Sequence, residues 1–173
     1  VDITDGTFAS TSATIAATVL GNIGAKTTGV VTITNAAKIV GAASDLTNTL
    51  VTSGSSVTAA TALVDITDGT FASTSATIAA TVLGDIGAKT TGVVTVTNAA
   101  KIVGAASDLT NTLVTSGSSV TAATALVDIT DGTFASTSAT IAATALGDIG
   151  AKTTGAVTVS NAVKIVGAAS DLT

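Results

Sequence analysis

The stretch VDITDGTFASTSATIAATVLGDIGAKTTGVVTVTNAAKIVGAASDLTNTLVTSGSSVTAATAL, residues 64–126, decides the fold because the whole chain consists of copies of it. Residues 1–63 match it at all but two positions, where Asn22 stands against Asp85 and Ile33 against Val96. A third, partial copy occupies residues 127–173. A fixed internal period is typical of repeat architectures, in which each copy stacks on its neighbours. We therefore predict one continuous solenoid with repeat units 1–63, 64–126 and 127–173.

The composition argues against several classes of function. The 173 residues include no Cys and no His, which removes disulfides, thiolate metal sites and the commonest general base. The net charge of −5 argues against a nucleic-acid surface, which needs a basic stripe. Apolar runs are short, so we expect no membrane span. No grouping of Ser, Asp or Lys suggests a nucleophile with its base, so we expect neither an enzyme nor a small-molecule substrate.

The two ends of the chain suggest a wider context. The chain begins at Val1 without Met and stops at Thr173, part-way through a copy. Neither end carries an atypical repeat, although solenoids need capped ends to stay soluble. We therefore expect these residues to be a window of a longer array.

Each copy divides again into three sub-repeats of about 21 residues, at 12–34, 34–54 and 55–73. Each sub-repeat joins an amphipathic stretch of small residues to a short β-prone run. The apolar positions are Ile15, Val19, Leu20 and Ile23 in the first stretch, Ala36, Ile39, Val40, Ala43 and Leu46 in the second, and Ala59, Ala62, Leu63 and Ile66 in the third. Their spacing matches one face of a helix, so we predict three short helices per copy.

Polar residues and β-branched runs mark the ends of these predicted helices. The candidate N-caps are Ser12, Thr34 or Asn35, and Ser55 or Ser56, and Gly69 is the candidate C-terminal residue of the third helix. Strands are predicted at 30–34, 50–53 and 70–73, with the first the best defined because Val31 and Ile33 alternate with Thr32 and Thr34.

The lengths of these elements suit a coil. A helix of about 10 residues spans roughly 15 Å, and a strand of about 5 residues spans roughly 16 Å, so one can return over the other. We predict an α/β solenoid of about eight 21-residue coils, three per copy, with parallel strands and with helices stacked on one face. The alternative is an all-β solenoid in which the Ala-rich stretches are also strands.

The segments TNAAKIVGAASDLTNTL, SSVTAATALVDITDG and TTGVVTIT resemble the Thr-, Ala- and Asp-rich repeat arrays of very large secreted cell-surface proteins, especially those of cyanobacteria. The resemblance extends over the whole chain and lies in composition and rhythm, without a catalytic signature. It implies an extracellular, surface-layer or filament role and carries over no functional residues.

Paired carboxylates beside a glycine turn are the candidate metal ligands. The motif DITDG supplies one pair per copy: Asp2 and Asp5, Asp65 and Asp68, and Asp128 and Asp131. Ca²⁺ takes oxygen ligands, so each pair is a candidate calcium site. The copies lack EF-hand spacing, and the alternative is that these residues are solvated helix-end carboxylates. A helix C-terminus disfavours anions, which makes that position unusual.

Other polar groups have ordinary structural interpretations. Thr32 and Thr34, with Thr95, Thr97, Thr158 and Ser160 as their copies, form a T-x-T pattern that could suit an ice-binding face or ordinary hydroxyl ladders. Lys38 and Lys26, with their copies, are predicted to be solvated, and Asp45 is the expected partner of a Lys on a neighbouring coil. The aromatic residues Phe8, Phe71 and Phe134 are expected core anchors.

These observations favour a structural protein. We expect part of a long extracellular filament or cell-surface layer that assembles with further copies by end-to-end stacking or lateral packing, since an open solenoid end exposes strand edges. The alternative is an adhesin stalk that does not assemble, and an ice- or calcium-binding surface is a third hypothesis. No cofactor is expected apart from the candidate calcium.

Overall fold

A computed structural model describes residues 1–3, 14–33, 38–52, 54, 56–59, 61–68, 76–97, 101–115, 117, 119–122, 124–131, 140–160 and 164–172. Within these ranges, short strands alternate with short helices, and the same elements recur in each copy. The predicted Phe8, Phe71 and Phe134 anchors, the strand at 70–73 and most of the candidate N-caps lie outside the described residues.

The bounds of the elements follow the period of the sequence. The first copy contains β1 (Asp2–Ile3), β2 (Thr14–Ala16), α1 (Ala17–Gly24), β3 (Val31–Ile33), β4 (Lys38–Gly41), α2 (Ala43–Leu46) with a π-helical turn at Thr47–Val51, and β5 (Val57–Thr58). The second contains β6 (Leu63–Ile66), β7 (Thr77–Ala79), α3 (Ala80–Gly87), β8 (Val94–Val96), β9 (Lys101–Gly104), α4 (Ala106–Leu109) with a π-helical turn at Thr110–Val114, and β10 (Val120–Thr121). The third contains β11 (Leu126–Ile129), β12 (Thr140–Ala142), α5 (Ala143–Gly150), β13 (Val157–Val159), β14 (Lys164–Val166) and a 3₁₀ turn at Ala169–Asp171.

Every strand pairing among the described residues is parallel. The sheets have the orders β1-β3-β5, β2-β4-β6-β8-β10, β7-β9-β11-β13 and β12-β14. Since parallel neighbours need a crossover between them, the helices and loops carry the chain from each strand to the next. The result is an α/β repeat fold, and the all-β alternative is wrong because five α-helices lie within the described ranges.

Neighbouring copies interlock through these sheets. From β6 to β11, successive strands enter two sheets in turn, with β6, β8 and β10 in one and β7, β9 and β11 in the other. Each full copy supplies five described strands, an odd number, so the equivalent strands β1, β6 and β11 lie in three different sheets. The five-stranded sheet takes β2 and β4 from the first copy and β6, β8 and β10 from the second. No boundary of this sheet therefore coincides with the boundary between the two copies.

The core is a stack of aligned apolar rows. In the five-stranded sheet Ile15, Ile39, Val64, Val94 and Val120 pair in sequence across the strands, and all five are buried. β-Branched side chains suit such rows because they pack well on a pleated surface. The row carries apolar packing from one copy into the next without interruption.

Helices pack beside these rows through their leucines. Leu20 of α1 and Leu83 of α3 are fully buried. The helix α3 contacts the π-helical turns of both the first and the second copy. Helical segments that follow one another in the chain therefore also pack against one another. Small side chains such as Ala17 and Ala80, also buried, allow these segments to approach the sheets closely.

The predicted division into equal coils is wrong. In the five-stranded sheet Ile15 pairs with Ile39, Ile39 with Val64, Val64 with Val94, and Val94 with Val120. Each of these steps along the chain is longer than the predicted coil, and the step from Val64 to Val94 is the longest. Each of the four steps contains one helix, α1, α2, α3 and α4 in turn, and the length of the remaining connection differs from step to step. Three equal sub-repeats per copy therefore do not describe the pairing.

Four local predictions are also wrong. Ile15 of the first predicted helix lies on β2, and Ile39 and Val40 of the second lie on β4, so both helices begin later than predicted. The third predicted helix is replaced by β5 and β6, where Val64 and Ile66 are buried and Leu63 and Asp65 only half-buried, so burial alternates as it does along a strand. Of the strand expected at 50–53, Leu50 and Val51 instead end a π-helical turn, closed by the Thr52 N–H donating to the Thr47 carbonyl at 2.9 Å, and residue 53 lies outside the described residues. By contrast, the strand expected at 30–34 is confirmed at β3.

Candidate functional site

The DITDG motif lies at the contact between copies rather than in a helix. Asp65 lies on β6 with Val40 of β4 opposite on one side and Thr95 of β8 opposite on the other. Since β4 belongs to the first copy and Asp65 to the second, this carboxylate stands where two copies meet.

An ion pair and a hydroxyl hold Asp65 in this position. Lys38 Nζ lies 3.4 Å from Asp65 Oδ2, and both side chains are partly buried. The Thr97 hydroxyl donates to Asp65 Oδ1. The sequence predicts that Lys38 is solvated and that Asp45 is the partner of a Lys on a neighbouring coil. Both predictions are wrong for Lys38, because β4 places it beside Asp65. One residue of the first copy and two of the second therefore share this contact.

The same arrangement recurs where the second copy meets the third. Lys101 Nζ lies 3.4 Å from Asp128 Oδ2, and the hydroxyls of Thr158 and Ser160 donate to Asp128 Oδ1. The hydrogen bond from Ser160 holds the pKa of Asp128 below its ordinary value, with Thr158 and Lys101 adding to the effect and burial opposing it. The third copy has Ser160 in place of Thr, which keeps the donating hydroxyl.

Asp68 has a different task, which is to cap a helix of the preceding copy. The Ala43 N–H, the first of α2, donates to Asp68 Oδ2 at 2.5 Å. The Ala106 N–H of α4 donates to Asp131 Oδ2 at the same distance. A carboxylate is favourable at a helix N-terminus because it satisfies a free donor and complements the helix dipole. The prediction that these carboxylates lie at a helix C-terminus is therefore wrong, since Asp68 and Asp131 lie at helix N-termini.

This cap is not evident from the sequence around each helix, because the capping residue does not precede the helix in the chain. The residues at the N-caps of α1 and α2 are Ala16 and Ala42, whose side chains have no oxygen. The capping carboxylate comes from a position 25 residues further along the chain. The one signal in the sequence was the recurrence of Asp68 at a fixed distance after the helix-forming ASDL segment.

A third contact between copies depends on a glycine. The Thr90 hydroxyl donates to the Ala62 carbonyl at 2.6 Å and accepts from the Gly92 N–H at 2.9 Å. A Cβ placed on Gly92 would stand 2.3 Å from the Ala62 oxygen, so only glycine allows the approach. Thr153, Gly155 and Ala125 repeat the arrangement, with hydrogen bonds of 2.6 and 2.9 Å.

Side-chain hydroxyls also donate hydrogen bonds to backbone carbonyls within one copy. The buried Thr49 donates from Oγ1 to the Ala17 carbonyl at 3.0 Å, linking the π-helical turn to α1. Ser56, a candidate N-cap in the sequence, lies before β5 and donates to the Gly24 carbonyl at 3.2 Å. Part of the dense Ser and Thr content therefore donates to backbone carbonyls of another segment of the copy.

The candidate calcium ligands do not converge in the described part of the chain. Asp65 and Asp128 are engaged by Lys and hydroxyl groups, while Asp68 and Asp131 cap helices. Asp2 is exposed on β1, and Asp5 lies outside the described residues. Within those ranges no group of three or more acidic side chains could hold a metal ion. Calcium binding stays a prediction.

The T-x-T pattern does not produce a rank of threonines on the five-stranded sheet. The row that contains Thr95 runs Ala16, Val40, Asp65, Thr95 and Thr121 across the strands. Thr34 lies outside the described residues, and Thr97 is engaged with Asp65. A row in which two threonines follow an acid and two apolar side chains lacks the regularity that an ice-binding face needs.

Two equivalent grooves lie between the helical segments and the strands that follow them. Each has a volume of about 250 Å³, the first beside Gly21, Asn48, Thr52 and Ser56 and the second beside the equivalent residues of the second copy. The described residues lining them are small, polar or aliphatic, with no charged or aromatic side chain. The hydroxyl groups of this lining have no titratable side chain beside them among the described lining residues.

No known protein family matches the chain, and neither characterised proteins nor solved structures show a significant similarity to it. None of the helices in the described ranges has the length and hydrophobicity that crossing a bilayer requires. The site that the geometry identifies is therefore the contact between copies, with its ion pair, its helix cap and its close glycine approach.

Proposed function

We propose that this chain is a structural protein, a stretch of a repetitive extracellular α/β solenoid that builds a filament or a cell-surface layer. The observation that carries the proposal is the interlocking of copies, since the five-stranded sheet contains strands of two copies. Such an array transmits load along its length because separating two copies requires breaking a sheet, and sheet hydrogen bonds act together.

The chemistry of the positions that recur in every copy supports the same proposal. The carboxylates of DITDG join a strand and a helix of the preceding copy to the copy that carries them. A polar group committed to holding copies together is not available to a substrate. The extracellular placement rests on the resemblance described above, which lies in the Thr-, Ala- and Asp-rich composition of the copies.

The recurrence of the contact between copies supports continuous growth. The strand β4 meets β6 in the same register in which β9 meets β11, so the same contact can form again with each further copy. In repeat proteins each unit contacts only its neighbours, so length is limited by the number of copies rather than by the fold.

Electron microscopy of the purified chain at rising concentration, with and without added calcium, tests the proposal. We expect ordered filaments or layers whose thickness matches one or a few solenoids. Dependence on calcium would support the prediction that carboxylates of the DITDG motif bind the metal. Single short rods at every concentration would exclude self-assembly and favour the adhesin stalk, and thermal hysteresis of the solution would favour an ice-binding surface.

A further inference from the structure

The two carboxylates that cap helices of the preceding copy are also followed by glycine in the chain. Asp68 precedes Gly69, and Asp131 precedes Gly132. Every other Asp in the described ranges is followed by Ile or Leu. An aspartyl side chain can cyclise onto the main-chain nitrogen of the next residue, and the attack is fastest before glycine because no side chain hinders it. These two positions therefore have the sequence that favours aspartate isomerisation.

We propose that Asp68 and Asp131 are sites of spontaneous aspartate isomerisation and that the contact between copies controls its rate. The main-chain nitrogen of the next residue forms a bond to Cγ of the aspartate. One carboxyl oxygen leaves as water, with the N–H proton and a proton from solvent. Water then opens the succinimide ring and returns one proton to the nitrogen and one to solvent. Opening at the former main-chain carbonyl gives isoaspartate, with no change of mass.

The hydrogen bond across the junction opposes the cyclisation. The Ala43 N–H holds Asp68 Oδ2 at 2.5 Å, and the Ala106 N–H holds Asp131 Oδ2 at the same distance. Cyclisation requires the aspartyl side chain to turn away from this donor and fold back onto its own main chain. The carboxylate is therefore protected while the two copies are in contact, and it reacts when the contact opens locally.

Isomerisation in turn weakens the contact that slows it. In isoaspartate the chain runs through the former side chain, which adds one carbon to the main chain, and the former main-chain carbonyl becomes the free carboxylate. The Thr67 N–H donates to the Gly41 carbonyl at 3.0 Å and so holds the residue before Asp68 against β4. From that anchored position the displaced carboxylate no longer meets the Ala43 N–H, and α2 loses its cap. The isoaspartate content of a junction therefore increases with the time that the junction has spent open.

Replacing Ala43 by Pro tests whether the cap controls the reaction. Proline removes the donating N–H but suits the first position of a helix. Ala42 already has the extended conformation that a residue before proline prefers, with φ −65° and ψ 152°. Ala106→Pro makes the same change at the next junction, where Ala105 has φ −64° and ψ 153°. Each variant is therefore the matched control of the other.

Peptide mapping after incubation at neutral pH locates the isoaspartate. Cleavage after lysine places the two sites in separate peptides, 39–89 and 102–152, whose masses differ because Ala145 stands at the position of Val82. Fragmentation by electron transfer then distinguishes isoaspartate from aspartate at each site.

We expect Ala43→Pro to accelerate isomerisation at Asp68 by about 5-fold and to leave Asp131 unchanged. This factor corresponds to the loss of a helix cap worth about 1 kcal/mol. Ala106→Pro should accelerate the reaction at Asp131 and leave Asp68 unchanged.

A measurement on the parent chain does not depend on how well the variants fold. In urea above the unfolding transition, both sites should isomerise faster than in the folded chain, because no N–H of a preceding copy then holds the carboxylate. Equal rates in the folded and the unfolded parent chain would overturn the inference. Variants that fold, as judged by circular dichroism, but accelerate neither site or both sites equally would also overturn it.

Discussion

Replacing Gly92 by Ala should destabilise the protein far more than the same change at Gly29, although both glycines lie in the identical segment TTGVV. A Cβ on Gly92 would stand 2.3 Å from the Ala62 oxygen and 2.6 Å from the Thr61 oxygen, and both are backbone atoms. At Gly29 the nearest neighbour is a flexible Thr27 hydroxyl at 3.5 Å.

The magnitude follows from what must move. Over-packing against a fixed backbone costs about 1–3 kcal/mol, and displacing the carbonyl of Ala62 also weakens its hydrogen bond from Thr90, worth about 1 kcal/mol. We expect Gly92→Ala to lower the free energy of unfolding by about 2–4 kcal/mol and Gly29→Ala to change it by less than about 0.5 kcal/mol. Neither glycine has a positive φ, so backbone strain does not contribute to the difference.

Urea denaturation followed by circular dichroism measures both variants. The transitions should be compared at a protein concentration at which the chain is monomeric, so that association does not add to stability. Equal losses for Gly92→Ala and Gly29→Ala would refute the reasoning, because the effect would then come from the local segment and not from the contact between copies.

Three further predictions concern single side chains. Asp131→Ala should lower the free energy of unfolding by about 1 kcal/mol because it removes the cap of α4. Asp85→Ala, on the exposed face of α3, should leave that free energy unchanged. Equal urea midpoints for the two variants would contradict the capping role. Ile102 lies between Ile78 and Val127 in the buried row of the four-stranded sheet. Ile102→Ala should cost about 2–5 kcal/mol, while Ile165→Ala should cost under about 1 kcal/mol in the monomer. A calorimetric comparison in which both lose the same stability would argue against the row. The folded state lowers the pKa of Asp128, so its contribution to stability is complete above about pH 4 and is lost as the pH falls through the folded pKa. Asp128→Asn should therefore flatten the fall of the urea midpoint below about pH 4. An unchanged dependence of the midpoint on pH would exclude this contribution.

Much of the architecture was predictable from the pattern of residues. The repeat units, the mixture of helices and parallel strands, the strand at 31–33 and the small apolar core all follow from periodicity and from β-branched runs. The boundaries inside a copy were not predictable, because a short apolar run such as Leu63–Ile66 fits either a helical face or a buried strand until its neighbours are known.

The sequence indicated which residues form the candidate site, but not the contacts that each of them makes. The recurring Asp65 and Asp68 stood out in the sequence as a pair that could share a metal ion. In the fold they separate, because β6 presents Asp65 to Lys38 while the chain beyond the strand brings Asp68 to the first N–H of α2. Both partners lie far from these carboxylates in the chain, and strand register brings them together, which local sequence does not encode.

The sequence by itself determined that the protein is an array of equivalent units with a core of small and β-branched side chains, since hydrophobic burial depends on residue type and spacing. Only the tertiary structure decided how the units join. Five described strands per full copy shift equivalent strands into different sheets, and contact with the preceding copy makes glycine necessary at position 92. The physical reason is that the sheet a strand joins and the requirement for glycine both depend on two surfaces in contact. Segments of identical sequence therefore differ when only one of them has such a neighbour.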